Sequence, residues 1–331
     1  MLRIVPVLLA LLVFAGSISA QDNVIADGLS NPRGIAYDAD GTLYVAEAGT
    51  AGDVQAQGPF GPVLTGTTSR VVAVADDGEV TPVLQGFNST QGFGDYVGVQ
   101  ALLIDDDTIW LALGDGPIGY PISHAVLGVN KETMRVHTFI DLFSIEASEN
   151  PDGEDVASNP SDLASDGAGT LYIIDTSGNS LLRWTADAGL ELFHVWEDLP
   201  VPTSVALDGE GNIYVGFLTA FPFPARQATI EKWSPDGELL ESYTGLTGVT
   251  DVAVAEDGTI YAVQIADGFG DSGWNPNSGS VVTVSANGLT PIAEGLNYPY
   301  SIAFAPDGSL AVSVNSSFAP AGSGQVISIS M

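Results

Sequence analysis

Along most of the chain, apolar and polar residues alternate with a period of two, in short segments that come in pairs. The first clear pair is Gly34-Ile35-Ala36-Tyr37 and Leu43-Tyr44-Val45, joined by Asp38-Ala39-Asp40-Gly41. That period predicts strands, and the acidic-Gly turn supplies the positive φ that a tight hairpin needs. The phrase recurs: an apolar or Gly-Leu lead, a Pro, an alternating segment, an acidic-Gly turn, and a second alternating segment. Its turns fall at positions 41, 107, 169, 211, 258 and 308, the second copy (Asp105-Asp106-Asp107, then Ile109-Trp110-Leu111) being the weakest. After a variable loop each copy adds a third strand segment, at 70–74, 126–130, 181–184, 229–233, 281–284 and 326–329. A second turn then leads into a fourth.

Copies of about 50 residues fall in the range of propeller blades and outside helical solenoid periods. The last copy stops after its third segment, at Met331, while Asn23-Val24-Ile25-Ala26 has the character of a fourth. The expected fold is therefore all-β: a six-bladed β-propeller, its ring closed by the N-terminal strand completing the last blade. A pair of β-sandwiches would not explain six copies in register. Residues 21–331 are expected to form this single domain.

Residues 1–20, MLRIVPVLLALLVFAGSISA, break the pattern. One basic residue, an apolar run and then small residues read as a secretory signal peptide cleaved after Ala20. The expected location is secreted, periplasmic or extracellular, with no membrane span after cleavage.

Composition narrows the function classes. The 331 residues carry 8 Lys or Arg against 41 Asp or Glu, a formal net charge of −33, and no Cys. The missing Cys excludes disulfides, thiol nucleophiles and Cys-ligated metals. The acidity argues against nucleic acid, since phosphate binding needs clustered Lys and Arg. A monomer is expected.

The repeat resembles NHL-type and TolB-like six-bladed propellers. Three stretches, Gly28–Gly49, Glu149–Pro160 and Leu218–Pro224, are similar to one exported group, the ScyD/ScyE family. That family is associated with scytonemin pigment gene clusters. The resemblance implies the fold and export, and brings no agreed catalytic residues.

In a propeller the long loops between second and third strands, and those leading into each first strand, open on one face. Here these include 47–69, 86–100, 114–125, 141–161, 217–228, 264–279 and 315–324. By register, Arg33, Gln100, Ser161, Thr203, Thr250 and Tyr300 ring the channel mouth, with Asp162, Ser204, Asp251 and Ser301 one position further. Of these, Arg33, Gln100, Asp162, Thr203, Asp251 and Tyr300 are the candidate ligand-binding residues. Phe217, Phe221, Phe223 and Trp274, with Phe60, Phe93 and Phe269 nearby, are expected to form an aromatic rim for a flat ligand or a peptide. Asp162, Asp251, Asp267 and Asp271 are candidate Ca²⁺ ligands, and the acidic run Glu149-Asn150-Pro151-Asp152-Gly153-Glu154-Asp155 offers oxygens of the same kind. His124 is expected to be solvated in a loop, and His137 and His194 to be structural. No Gly-x-Ser-x-Gly elbow or close His pair is present.

Two readings follow. In the first, the long-loop face binds a small molecule, a glycan or an exported protein as a scaffold. In the second, a divalent metal at the channel mouth assists a hydrolase, lactonase or lyase. The lactonase ligand pattern of Glu, Asn and Asp is not reproduced at the matching positions, so the first reading leads.

Overall fold

The computed structural model describes residues 23–120 and 122–331; the expected signal peptide lies outside them. The chain is nearly all β, built from antiparallel sheets of four strands. The third sheet is typical: Pro160–Ser165, Thr170–Asp175, Ser180–Thr185 and Gly189–Val195 pair in chain order. The second, fourth and fifth sheets repeat this order, starting from Val99–Asp105, Pro202–Leu207 and Val249–Val254. The sixth takes Ile302–Phe304, Leu310–Val314 and Gly324–Ile329, then gains Val24–Leu29 from the N-terminal side, which pairs antiparallel with Gly324–Ile329.

The hairpins form for the reason the sequence gives. Gly41, Gly211, Gly258 and Gly308 all have positive φ, and each donates its N–H to the carbonyl three residues back. Asp40, Asp257 and Asp307 accept the N–H two residues on, at 2.9 Å each. These aspartates are turn residues. The weak second copy turns through Asp106, a non-Gly residue at φ 49°.

Each apolar cluster draws on two adjacent sheets. Trp110, Ala112 and Val126 of the second sheet pack with Leu163, Leu171 and Ile173 of the third. Ala311 and Val326 of the sixth pack with Ile35, Val45 and Val72 of the first, and Ala26 and Leu29 lie in that seam. The first strands also touch in succession, and that of the sixth sheet returns to that of the first. The approach is close: a Cβ on Gly34 would stand 2.7 Å from Ala101 Cα and 2.9 Å from Leu102 N.

Two regions depart from the expected loops. Residues 47–69 and 86–100 are largely strand. In the first sheet, Gly61–Val74 pairs with Val80–Gly92, and Val54–Gly58 and Asp95–Val97 add to them. The result is a β-arm extending beyond the sheet. Between 141 and 161 the chain forms a short helix, Phe143–Glu149, closed by Asn150 in the left-handed region. Among the described residues no helix is long and apolar enough to cross a membrane.

Leu29 is fully buried in the seam between the sixth and first sheets. Leu29→Ala is expected to cost about 2–5 kcal/mol through lost burial and the cavity left behind. Thermal denaturation followed by circular dichroism checks this, with a drop of several degrees expected; an unchanged midpoint would show that the N-terminal strand does not hold the seam.

Candidate functional site

The predicted mouth residues sit at a repeated irregularity. The pairing between first and second strands slips between Pro32 and Ile35, Val99 and Ala101, Pro160 and Asp162, Pro202 and Ser204, and Val249 and Asp251. Arg33, Gln100, Ser161, Thr203 and Thr250 fall inside these slips. A bulge re-aims a side chain out of the ladder, and here several turn toward the neighbouring sheet. Ser161 Oγ donates to Thr203 O at 3.0 Å, and Thr203 Oγ1 donates to Val249 O at 2.8 Å.

Asp162 and Asp251 repeat one arrangement. Asp162 accepts Leu163 N–H on its own strand and Val205 N–H on the fourth sheet, both at 2.8 Å. Asp251 accepts Val252 N–H at 2.7 Å and Ile302 N–H of the sixth sheet at 2.9 Å. Ser301 Oγ plays the same part toward Ile35 N–H at 3.3 Å. Each of these side chains joins the inner edge of its sheet to the next. Burial pushes Asp251 up to about 6, against the backbone donors that favour its charged form. Burial, then the negative charge of Asp251, raises Asp162 well above its ordinary range.

Arg33 is 1% exposed. Its guanidinium donates to Asp95 Oδ1 at 2.9 Å, to Tyr96 O at 2.6 Å and to Ser317 Oγ, and lies 4.6 Å from the ring centre of Tyr300. Asp95 and Tyr96 belong to the β-arm, so the arm pins Arg33. Tyr300, half-buried, is pushed up to about 12, chiefly by desolvation. Gln100 is buried with its Oε1 unpartnered.

The aromatic residues divide. Phe217 is not on the rim. It ends its strand 1% exposed, inside the core between the third and fourth sheets, edge-on to Trp196 at 5.1 Å. The alternation Ile213, Val215, Phe217 continues inward through it, which is the sequence signal for core. Phe221, Phe223 and Trp274 do come together, and Phe269 joins them. Phe223 lies 5.0 Å from Phe269 and 5.0 Å from Trp274, and Phe221 caps the group at 5.9 Å from Phe223 and 6.0 Å from Phe269. Trp274 is buried against Gly248, where a Cβ would meet its ring at 2.8 Å. Phe221 remains 75% exposed. Beside this step is a 370 Å³ hollow lined by Arg226, Thr247, Gln264, Asp267 and Ser278 among others. Phe60 and Phe93 are exposed on the β-arm instead.

The remaining candidates are placed as follows. Asp267 and Asp271 are exposed, and Asp267 accepts Asn275 Nδ2 at 2.8 Å. Among the described residues, no three His, Cys, Asp or Glu side chains converge on a metal position. His124 is buried rather than solvated: its Nδ1 lies 2.6 Å from Ser158 O and its ring packs on Phe143. The reason is the helix after the second sheet, which covers it. His194 stacks on Trp233 at 4.3 Å within an outer strand.

Asp162 and Asp251 hold a proton to higher pH in the folded chain than their ordinary 3.8. Their contribution favours the folded state at low pH; that of Asp251 is lost as pH rises from about 4 through about 6, and that of Asp162 changes in the same direction. The melting temperature is therefore expected to rise from pH 7.5 to pH 5. Asp251→Asn should flatten that slope and cost about 1–3 kcal/mol by leaving a backbone donor unpaired. Parallel melts across pH test both, and an identical slope in the variant would rule out this carboxyl as a source.

No family model matches the chain, and no curated protein does. Solved structures do. A streptogramin B lyase structure aligns with TM-score 0.54 and 14% identity over 92% of this chain and 96% of that one. A gluconolactonase from Xanthomonas campestris aligns with TM-score 0.58 and 14% identity over 92% and 88%. The calcium-binding protein regucalcin from Agrobacterium tumefaciens aligns with TM-score 0.56 and 14% identity over 93% and 94%. Likeness at this identity shows the fold alone, a β-propeller.

Proposed function

We propose that this chain is an exported binding protein of the ScyD/ScyE kind. In this reading its six sheets are the blades of one closed ring, with the N-terminal strand completing the last. The cyclic order of contacts between first strands and the seam holding Leu29 support that closure. The ligand is a flat aromatic molecule carrying polar groups, taken on the loop face of the fourth and fifth sheets.

One observation carries the binding reading. Phe221 is exposed while Phe223, Phe269 and Trp274 beneath it are fixed by mutual edge contacts. A rigid aromatic step costs little side-chain entropy on binding, and offers a face for stacking. The adjoining hollow adds Arg226, whose side chain makes no ion pair among the described residues, and several hydroxyl and amide groups. Asp162, Thr203 and Asp251 are already engaged in contacts between sheets and Arg33 is held by the arm, which turns the search outward to this step. Titration calorimetry against a panel of planar aromatic compounds tests the proposal. Phe221→Ala is expected to weaken binding about five- to tenfold, the equivalent of about 1–1.4 kcal/mol. Undiminished affinity in that variant would remove the step from the site.

A second reading is a divalent-metal-assisted hydrolase, lactonase or lyase centred on Asp162 and Asp251. It is favoured by the mutual repulsion of these two carboxyls, which a cation would relieve, and by the lyase and lactonase among the structural neighbours. Against it, both carboxyls already accept two backbone N–H groups each. It predicts a divalent ion in the purified protein that Asp251→Ala releases, together with lactone hydrolysis or lyase activity lost in the same variant. Elemental analysis that finds the same ion content in both proteins would exclude it.

A further inference from the structure

The short helix after the second sheet hides an acidic side chain. Glu146 points inward, 2% exposed, and its Oε2 accepts no hydrogen bond. The other carboxylate oxygen presses on the turn of the third sheet, where a Cβ on Gly178 would collide with it. Two amide oxygens nearby share this condition. Asn150, which caps the helix, gives its Nδ2 to Glu154 O at 2.9 Å and leaves Oδ1 buried and unpartnered. Asn179, 8% exposed and next to Gly178, gives its Nδ2 to Asp152 Oδ2 at 2.9 Å and likewise leaves Oδ1 unpartnered.

These groups come from two elements that face each other. Glu146, Asn150 and Asp152 belong to the helix and the run after it; Asn179 belongs to the turn between the second and third strands of the third sheet. Asn179 ties them together through Asp152. Asp175 closes the floor, but its carboxylate is occupied by Ser158 Oγ, Asn159 N–H and Gly178 N–H. None of the ion pairs among the described residues reaches this spot. Three buried oxygens without donors, next to two further carboxylates, are costly to leave unpaired. A water molecule has two protons for three such acceptors. A cation has no such limit.

We propose that Glu146, Asn150 and Asn179, with Asp152 beside them, bind a Ca²⁺ ion that clamps the helix turn to the third sheet. Oxygen-only donors, two of them amide carbonyls, suit Ca²⁺, which takes six to eight oxygens in flexible geometry. The remaining positions go to water and to Asp152, whose two oxygens also accept Glu154 N–H at 3.0 Å and Asn179 Nδ2 at 2.9 Å. Convergence of acidic side chains alone does not reveal this site, because half of its donors are asparagines. It shares no residue with Asp162, Asp251 or the aromatic step, so it stands or falls apart from both functional readings.

The test uses the full mature chain, stripped with chelator and titrated with CaCl₂ by calorimetry, with thermal melts and limited proteolysis alongside. Wild type is expected to bind one Ca²⁺ with a raised melting temperature and protection of residues 141–161 from cleavage. Glu146→Gln, which keeps the shape and removes the charge, should weaken that binding about tenfold or more. Asn150→Gly keeps the left-handed cap, removes one oxygen, and should weaken it as well, which covers the case in which Glu146→Gln fails to fold. Asp251→Asn should leave it unchanged. The proposal is overturned if wild type binds no Ca²⁺. It is equally overturned if binding survives both loop variants, or if Asp251→Asn abolishes it.

Discussion

The inner edge of each sheet sets the terms for everything else. A first strand has a partner on one side only, so its other edge presents backbone donors and acceptors with no ladder to join. Asp162, Asp251 and Ser301 meet that need, each accepting an N–H from the first strand of the next sheet. Ser161 and Thr203 do the reverse, donating across the seam to a carbonyl. Where the first and second sheets approach too closely for any side chain, the position is Gly34. A second set of joints lies at the end of the second strands. Glu47 accepts Ser30 N–H, Asp175 accepts Asn159 N–H and Gln264 accepts Thr247 N–H, each fixing the segment that leads into the first strand.

These joints account for part of the acidity. A carboxylate accepts two or more N–H groups without bringing a competing donor, so it suits an edge that offers donors. The aspartates of the hairpin turns act in the same way locally. Some of the acidic side chains of this chain therefore serve the backbone, in turns and seams. That same use occupies Asp162 and Asp251, and Arg33 is held by the β-arm. Exposed aromatic surface remains at Phe60 and Phe93 on the arm and at Phe221 on the loop of the fourth sheet.

The fold was legible because its signals are periodic. Alternation, acidic-Gly turns and six third-strand segments all appear where the pattern put them, and the strand at Val24–Leu29 pairs with the last segment. Five of the mouth candidates, Arg33, Gln100, Ser161, Thr203 and Thr250, fall where the pairing of first and second strands slips. Their chemistry is not legible in the sequence. Whether Asp162 faces a ligand or a neighbouring N–H depends on the approach of a strand some 40 residues away, which no local pattern encodes. Phe217 is core for a simpler reason: its strand, Ile213–Phe217, runs on through the position where the expected loop begins. The β-arm did leave a signal: Val54-Gln55-Ala56-Gln57 and Pro62-Val63-Leu64-Thr65 flank Gly58-Pro59-Phe60-Gly61, a hairpin phrase inside what was read as loop.

The two longest spacings between repeats belong to the two places where the chain adds something to a blade. In the first it adds the arm, which delivers Asp95 and Tyr96 to Arg33. In the second it adds the helix, which buries His124 and Glu146 against the third sheet. Both insertions end by covering polar groups at the loop-bearing end, on the first three sheets. The fourth to sixth sheets carry no comparable cover among the described residues, and there the exposed rings of Phe221 and Phe318 stand over half-buried aromatic neighbours, Phe269 and Tyr298. The insertions do not close their side completely: Phe93 and Phe60 stay exposed on the arm, as Phe221 and Phe318 do on the loops of the later sheets.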